Sequence, residues 1–277
     1  MRYALQRLIR EPFPLRSFIL RRFGRWFDHL SYAIKLETGL VERPHYGHCL
    51  RQAALLARKL GHKRITAIEL GVAGGNGLLA LEKHATYVKD ETNVEVATYG
   101  FDTGKGMPVP VDYRDLPYLF QAGYYGMDID RLNAQLKSSK LVIGQVEETA
   151  QNFCESEKPP PIGFISFDLD YYSSTMAAFR IFESDYQYFL PRVACYFDDM
   201  VGDIDWAYNE FTGELLAIKE FNAAHEHMKI APVRGLRFCR NWIPRIWHEQ
   251  IFVAHFFSHP DYGRPISDMT QLPLTAA

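Results

Sequence analysis

From about residue 51 the chain alternates between two rhythms. Stretches with apolar residues three and four apart are separated by short runs that are apolar almost throughout. The runs RITAIEL (64–70), VEVATYGF (94–101), KLVIG (140–144), PIGFISF (161–167) and RVACYF (192–197) read as buried strands. Two more extended segments fall near 228–233 and 250–256. The periodic stretches predict helices over 47–60, from Asn76 onward, and over 128–138, 145–155, 172–187 and 206–225. Gly61 closes the first of these as a C-cap. Strands alternating with helices predict βαβ units and a doubly wound, mostly parallel α/β sheet. In such a sheet ligands gather at the carboxyl ends of the strands, beside the topological switch point.

Residues 1–46 keep a different rhythm and are expected to form a basic helical arm, with residues 47–277 as the main domain. Pro12 and Pro14 divide the arm, and Phe23, Trp26, Phe27 and Leu30 recur at helical spacing. Seven arginines precede residue 30 against Glu11 and Asp28. The arm could pack on the main domain or join copies in a homo-oligomer; contact with an anionic membrane surface or an acidic partner are the other readings. The whole chain carries a net charge of −2, which gives no reason to expect a nucleic-acid partner. No run is long enough to span a membrane, and arginines interrupt what would be a secretory leader. Cys49, Cys154, Cys195 and Cys239 form no CxxC pair and fit buried thiols in a reducing compartment. The expectation is a cytoplasmic chain.

The strand tips carry the candidate chemistry. The first ends in Glu69 and Gly71, the second in Asp102, and the third in Gly144 and Gln145. The fourth ends in Asp168 and Asp170, the fifth in Asp198 and Asp199. After the first strand, GVAGGNG (71–77) places four glycines in seven residues before a helix, so the backbone can approach a ligand closely. The dinucleotide spacing GxGxxG is not met, because Ala73 stands at its middle glycine; Glu69, Gly71 and Gly75 match ExGxxxG instead. A carboxylate at the turn suits a cationic ligand better than a pyrophosphate. S-adenosylmethionine (SAM), a sulfonium with an ammonium group and no phosphates, fits that demand. Asp102 is placed to accept hydrogen bonds from ribose hydroxyls, as NAD sites also require.

These residues resemble class I SAM-dependent methyltransferases and, within them, the macrocin O-methyltransferase family, which methylates sugar hydroxyls. The matching stretches are IELGVAGGNG, YGFDTGKGMP (99–108), FISFDLDYYSSTMAA (164–178) and YFDDM (196–200). The resemblance implies a Rossmann-like sheet, SAM as methyl donor and Mg²⁺ at the acceptor. It implies Asp168, Asp198 and Asp199 as metal ligands and Asp170 as general base; the strand-tip and turn residues Glu69, Gly71, Gly75, Asp102 and Gln145 are the candidates around the cofactor. Gly104 and Lys105 depart from the family, which has an aromatic and an acidic residue there.

The residues support this chemistry independently. Strand alternation would put Asp168 and Asp170 on one face, provided the extended geometry persists. Carboxylates converging with Asp198 and Asp199 repel one another unless a cation neutralises them, and oxygen ligands suit Mg²⁺ or Ca²⁺. The segment 104–127 is too long for an ordinary connection and reads as a lid, or as a surface excursion. No HExxH pattern supports a zinc hydrolase. The expected function is SAM-dependent, Mg²⁺-dependent O-methylation of a hydroxyl on a saccharide or glycosylated metabolite. A nicotinamide (NAD(P)) oxidoreductase and a non-catalytic SAM-binding regulator are the alternatives.

Overall fold

The computed structural model describes residues 30–239 and 245–267 of the 277. Most of the basic arm, with Phe23, Trp26 and Phe27, therefore lies outside the described residues. Two helices lead in, α1 (Tyr32–Thr38) and α2 (Pro44–Leu60), both ending on a left-handed glycine, Gly39 and Gly61. Then follow β1 (Arg64–Leu70), α3 (Asn76–Thr92), β2 (Glu95–Asp102), α4 (Ile129–Gln135), β3 (Lys140–Ile143), α5 (Val146–Glu157) and β4 (Ile162–Phe167). The chain continues through α6 (Tyr172–Ala178), β5 (Phe189–Phe197), α7 (Gly213–Ala224), β6 (Met228–Pro232) and β7 (Ile251–Phe256).

The seven strands lie in the order β3-β2-β1-β4-β5-β7-β6. All pairs from β3 to β5 are parallel, while β7 runs antiparallel to both neighbours. The expected doubly wound α/β sheet is present. The order reverses at β1 and β4, so the glycine turn after β1 and the carboxylates after β4 open from adjacent tips. Every residue of β4 is buried, which explains its almost wholly apolar reading. One apolar layer joins α2 and α3 to the sheet through Leu50, Ala54, Leu78 and Leu81. The other joins α5, α6 and α7 through Phe153, Ala178 and Phe221.

Residues 30–46 pack on this body: Leu36 and Tyr46 are buried, and Tyr32 stacks on Tyr87 of α3. No helix among the described residues is long and apolar enough to cross a membrane. Cys49, Cys154 and Cys195 are free, buried thiols, as expected.

Several boundaries differ from the sequence reading, and three of them have a clear local reason. The helix expected over 172–187 ends at Ala178 and tightens into a 3-10 turn, Phe179–Glu183. That tightening sets Phe179 and Phe182 on one side, against Phe167 and Phe221. β5 begins at Phe189 rather than Arg192; Pro191, which has no N–H to give, sits where the register against β4 shifts. The helix expected from residue 206 starts at Gly213, because Ala207 adopts a left-handed φ of 52°.

Candidate active site

The hydrogen-bond ladder of the sheet runs past the strand ends. Gly71 N–H donates to the Phe101 carbonyl (2.9 Å), Asp168 N–H to Leu70 (3.0 Å), Asp198 N–H to Phe167 (3.1 Å) and Gly144 N–H to Asp102 (3.0 Å). Four candidate positions are thus tied to the sheet by their own backbones. Together they floor a cavity of about 390 Å³, within the size range of small-molecule sites. Gly71, Asp102, Gln145, Asp168, Asp170, Asp198 and Asp199 all line it.

Glu69 and Gly75 do not line it. Glu69 is 1% exposed and points beneath the turn, where its Oε1 accepts a hydrogen bond from the Tyr46 hydroxyl (2.8 Å). Its Oε2 is buried without a partner, and burial pushes its pKa up to about 7. Gly77 exists for this carboxylate: a Cβ there would stand 1.7 Å from Glu69 Oε1. Gly71 is needed for another reason. Its φ is 88°, and a Cβ would lie 1.8 Å from the Asp168 carbonyl oxygen. Glu69 therefore shapes the turn from below, not from within the cavity.

Asp102 likewise has a structural task. Its Oδ2 accepts from the N–H groups of Val72 (3.0 Å) and Ala73 (2.9 Å), and its Oδ1 from Gly104 N–H (2.7 Å). One carboxylate at the end of β2 thus clamps the turn after β1 and the start of the 104–127 segment.

The extended geometry assumed for Asp168 and Asp170 does not persist, since Asp170 has φ 60°. The two still converge, because the reversal at Asp170 swings its side chain into the cavity. Burial and the charges of Asp168 and Asp198 raise the pKa of Asp170 to about 7. Burial and neighbouring carboxylates push Asp168 and Asp199 well above the usual carboxylate range. Tyr196 donates to Asp198 Oδ1 (2.6 Å) and Tyr208 to Asp199 Oδ1 (2.8 Å), while Asp199 Oδ2 is buried and unpartnered. Asp170 does not cap α6; the N-cap position belongs to Tyr171.

Among the described residues, no three acidic, histidine or cysteine side chains are arranged as a ready ligand set. The donors nevertheless suit a hard cation: converging, partly buried carboxylates, all oxygen, with an orphaned oxygen on Asp199.

Several contributors escaped the sequence reading. Arg43 lines the cavity with its guanidinium 3.8 Å from Asp168 Oδ2. Glu214, fully buried at the start of α7, accepts from Asp199 N–H (3.0 Å). Asp115, also fully buried, accepts from Val111 N–H (2.8 Å), Ser173 N–H (2.8 Å) and the Ser173 hydroxyl (2.9 Å). It staples the 104–127 segment to the start of α6. That segment carries its own small core, Leu116 and Phe120 against Tyr171. It meets the 200–212 loop where the Tyr118 hydroxyl donates to the Trp206 carbonyl (2.9 Å). Only Arg43, beside Pro44 at a helix start, left even a positional hint in the sequence.

No protein-family model matches the chain, and no curated protein matches it. Among solved structures it is similar to the calicheamicin methyltransferase CalS11, at 18% identity over 93% of this chain and 91% of that one, TM-score 0.49. It is also similar to the O-methyltransferase NovP, at 13% identity over 65% and 72% of the two chains, TM-score 0.46. A third is an O-methyltransferase from Bacillus cereus in complex with SAH, at 17% identity over 74% and 79%, TM-score 0.39.

Proposed function

We propose that this chain is a SAM-dependent O-methyltransferase acting on a hydroxyl of a saccharide or glycosylated metabolite. One observation carries the reading: the glycine turn and the carboxylates Asp168, Asp170, Asp198 and Asp199 line the same cavity. Residues 47–277 would supply the catalytic unit, with 104–127 as its lid. The motif resemblance supports the choice of cofactor and acceptor class.

In this reading Gly71 lets the backbone lie close to the cofactor, and Asp102 holds the turn while presenting the remaining lone pair of its Oδ1 to the ribose. Gln145, at the start of α5, borders the same end of the cavity. SAM, when bound, would supply an electrophilic methyl group, with S-adenosylhomocysteine as the leaving thioether. Asp170 would take the proton of the acceptor hydroxyl, which the residues lining the cavity would orient. Asp168, Asp198 and Asp199 would hold Mg²⁺, which acidifies a bound hydroxyl. Trp206 and Tyr125 face the cavity and give a sugar ring surfaces to stack on.

Calorimetric titration with SAM and S-adenosylhomocysteine, each in Mg²⁺ and in EDTA, tests the cofactor, with NAD as control. Micromolar binding, about −8 kcal/mol, with none for NAD is expected. NAD binding in place of SAM would overturn the reading. Asp170→Asn should then keep cofactor binding and lose about 10²–10⁴-fold in turnover on a sugar-hydroxyl acceptor. Full turnover after chelation would remove the metal from the mechanism.

A further inference from the structure

We infer that Arg43 is the residue that binds the carboxylate of the cofactor's amino-acid end, an inference that rests on the SAM reading above. Among the described residues six carboxylates line the cavity, Asp102, Glu147, Asp168, Asp170, Asp198 and Asp199, and Arg43 is the one Lys or Arg that does. That surrounding welcomes the sulfonium and ammonium groups of SAM but repels its carboxylate. In many nucleotide sites the N–H groups of a glycine turn would receive an anion. Here the Val72 and Ala73 N–H groups are already spent on Asp102. The anionic end of the ligand must find its donors elsewhere, and the guanidinium is the complementary group.

Arg43 is built for the task. Its Nη1 donates to the Tyr46 hydroxyl (3.2 Å), and its guanidinium lies over the Tyr46 ring, 5.1 Å from the centroid. Asp168 at 3.8 Å attracts it without a hydrogen bond, which leaves fork donors for a bidentate partner. The backbone of Arg43 is held in a left-handed conformation, φ 41°. His84 secures that conformation from behind, with Nε2 2.8 Å from the Glu42 carbonyl and 3.2 Å from that of Arg43. Those carbonyls can only accept, so Nε2 carries the proton and Nδ1 accepts from the Tyr32 hydroxyl (2.8 Å). A strained arginine, pinned by a buried histidine beside the glycine turn, is a binding group in a fixed place.

The test compares S-adenosylhomocysteine with 5′-methylthioadenosine, which keeps the nucleoside and thioether but lacks the amino-acid end. Wild type, Arg43→Gln and Arg43→Lys are titrated with both in EDTA. Arg43→Gln should lose about 10–100-fold in affinity for S-adenosylhomocysteine, the worth of a charge-assisted hydrogen-bonded pair. Its affinity for 5′-methylthioadenosine should stay within about 3-fold of wild type, which also reports an intact fold. Arg43→Lys should recover part of the loss, since it keeps the charge without the fork. An unchanged preference for S-adenosylhomocysteine in Arg43→Gln would overturn the inference and leave Arg43 as a counter-charge to Asp168. Wild type that binds neither ligand would instead overturn the cofactor reading beneath it.

Discussion

Gly77→Ala is a substitution for which the general rule and this structure disagree in sign. Gly77 lies within α3, where alanine is ordinarily favoured by about 1 kcal/mol. Here the added Cβ would sit 1.7 Å from Glu69 Oε1 and 2.7 Å from its carboxyl carbon. Glu69 is 1% exposed and has nowhere to retreat without breaking its bond from Tyr46. Overpacking costs about 1–3 kcal/mol, and loss of a buried hydrogen bond to a charged group adds about 1–3 kcal/mol. Subtracting the helix gain leaves a net loss of about 1–5 kcal/mol. Urea unfolding, with the m-value as a check on the denatured state, measures it. Removing the obstacle supplies the control: in Glu69→Ala/Gly77→Ala the two effects should fall short of additivity by at least about 1 kcal/mol. A Gly77→Ala protein as stable as wild type, or additive effects in the pair, would refute the account of why this glycine is present.

The remaining predictions use the same chain of reasoning. Glu69 has its folded pKa raised by burial from 4.5 to about 7, so its stability contribution is complete below the unfolded value and is lost as pH rises through 7. Between pH 5 and 8 in EDTA, wild type should therefore lose up to about 3 kcal/mol relative to Glu69→Gln, and parallel pH profiles would count against it. Asp102→Ala should lower both stability, by about 2–4 kcal/mol for three lost acceptor bonds, and affinity for S-adenosylhomocysteine; wild-type affinity would free Asp102 from the cofactor site. Asp115→Ala should release the 104–127 segment, seen as new proteolytic cleavage between Val109 and Tyr125, with turnover falling more than cofactor affinity. Cleavage and kinetics unchanged from wild type would mean that the staple does not hold the lid.

Much of the fold and part of the site were legible in the sequence, and the division has physical causes. The strands were readable because burial on both faces enforces near-continuous apolar runs, as in β1 and β4. The aspartates were readable because a strand tip is a fixed address in a doubly wound sheet. Glu69 was readable as special but not in its direction; its destination is set by the absent side chain of Gly77, eight residues on. Asp115 and Glu214 were not readable at all, and Arg43 only as a position beside Pro44. Each acts through a contact distant in sequence: His84 with Arg43, Ser173 with Asp115, Asp199 with Glu214. Periodicity reports which face of an element is buried, not which loop a carboxylate will tie down.

The ladder bonds beyond the strand ends have a consequence for how the site breathes. The amides of Gly71, Gly144, Asp168 and Asp198 are held by the same partners that hold the sheet together. Their exchange with solvent deuterium should wait for the strands to separate, at rates set by the stability of the whole fold. Amides of the 104–127 segment whose bonds stay within that segment, such as Met107 and Gly123, should exchange earlier. The floor of the cavity then behaves as a rigid template and its roof as the adjustable part. Variation in ligand shape is absorbed from above, while damage anywhere in the sheet core is felt at the strand tips.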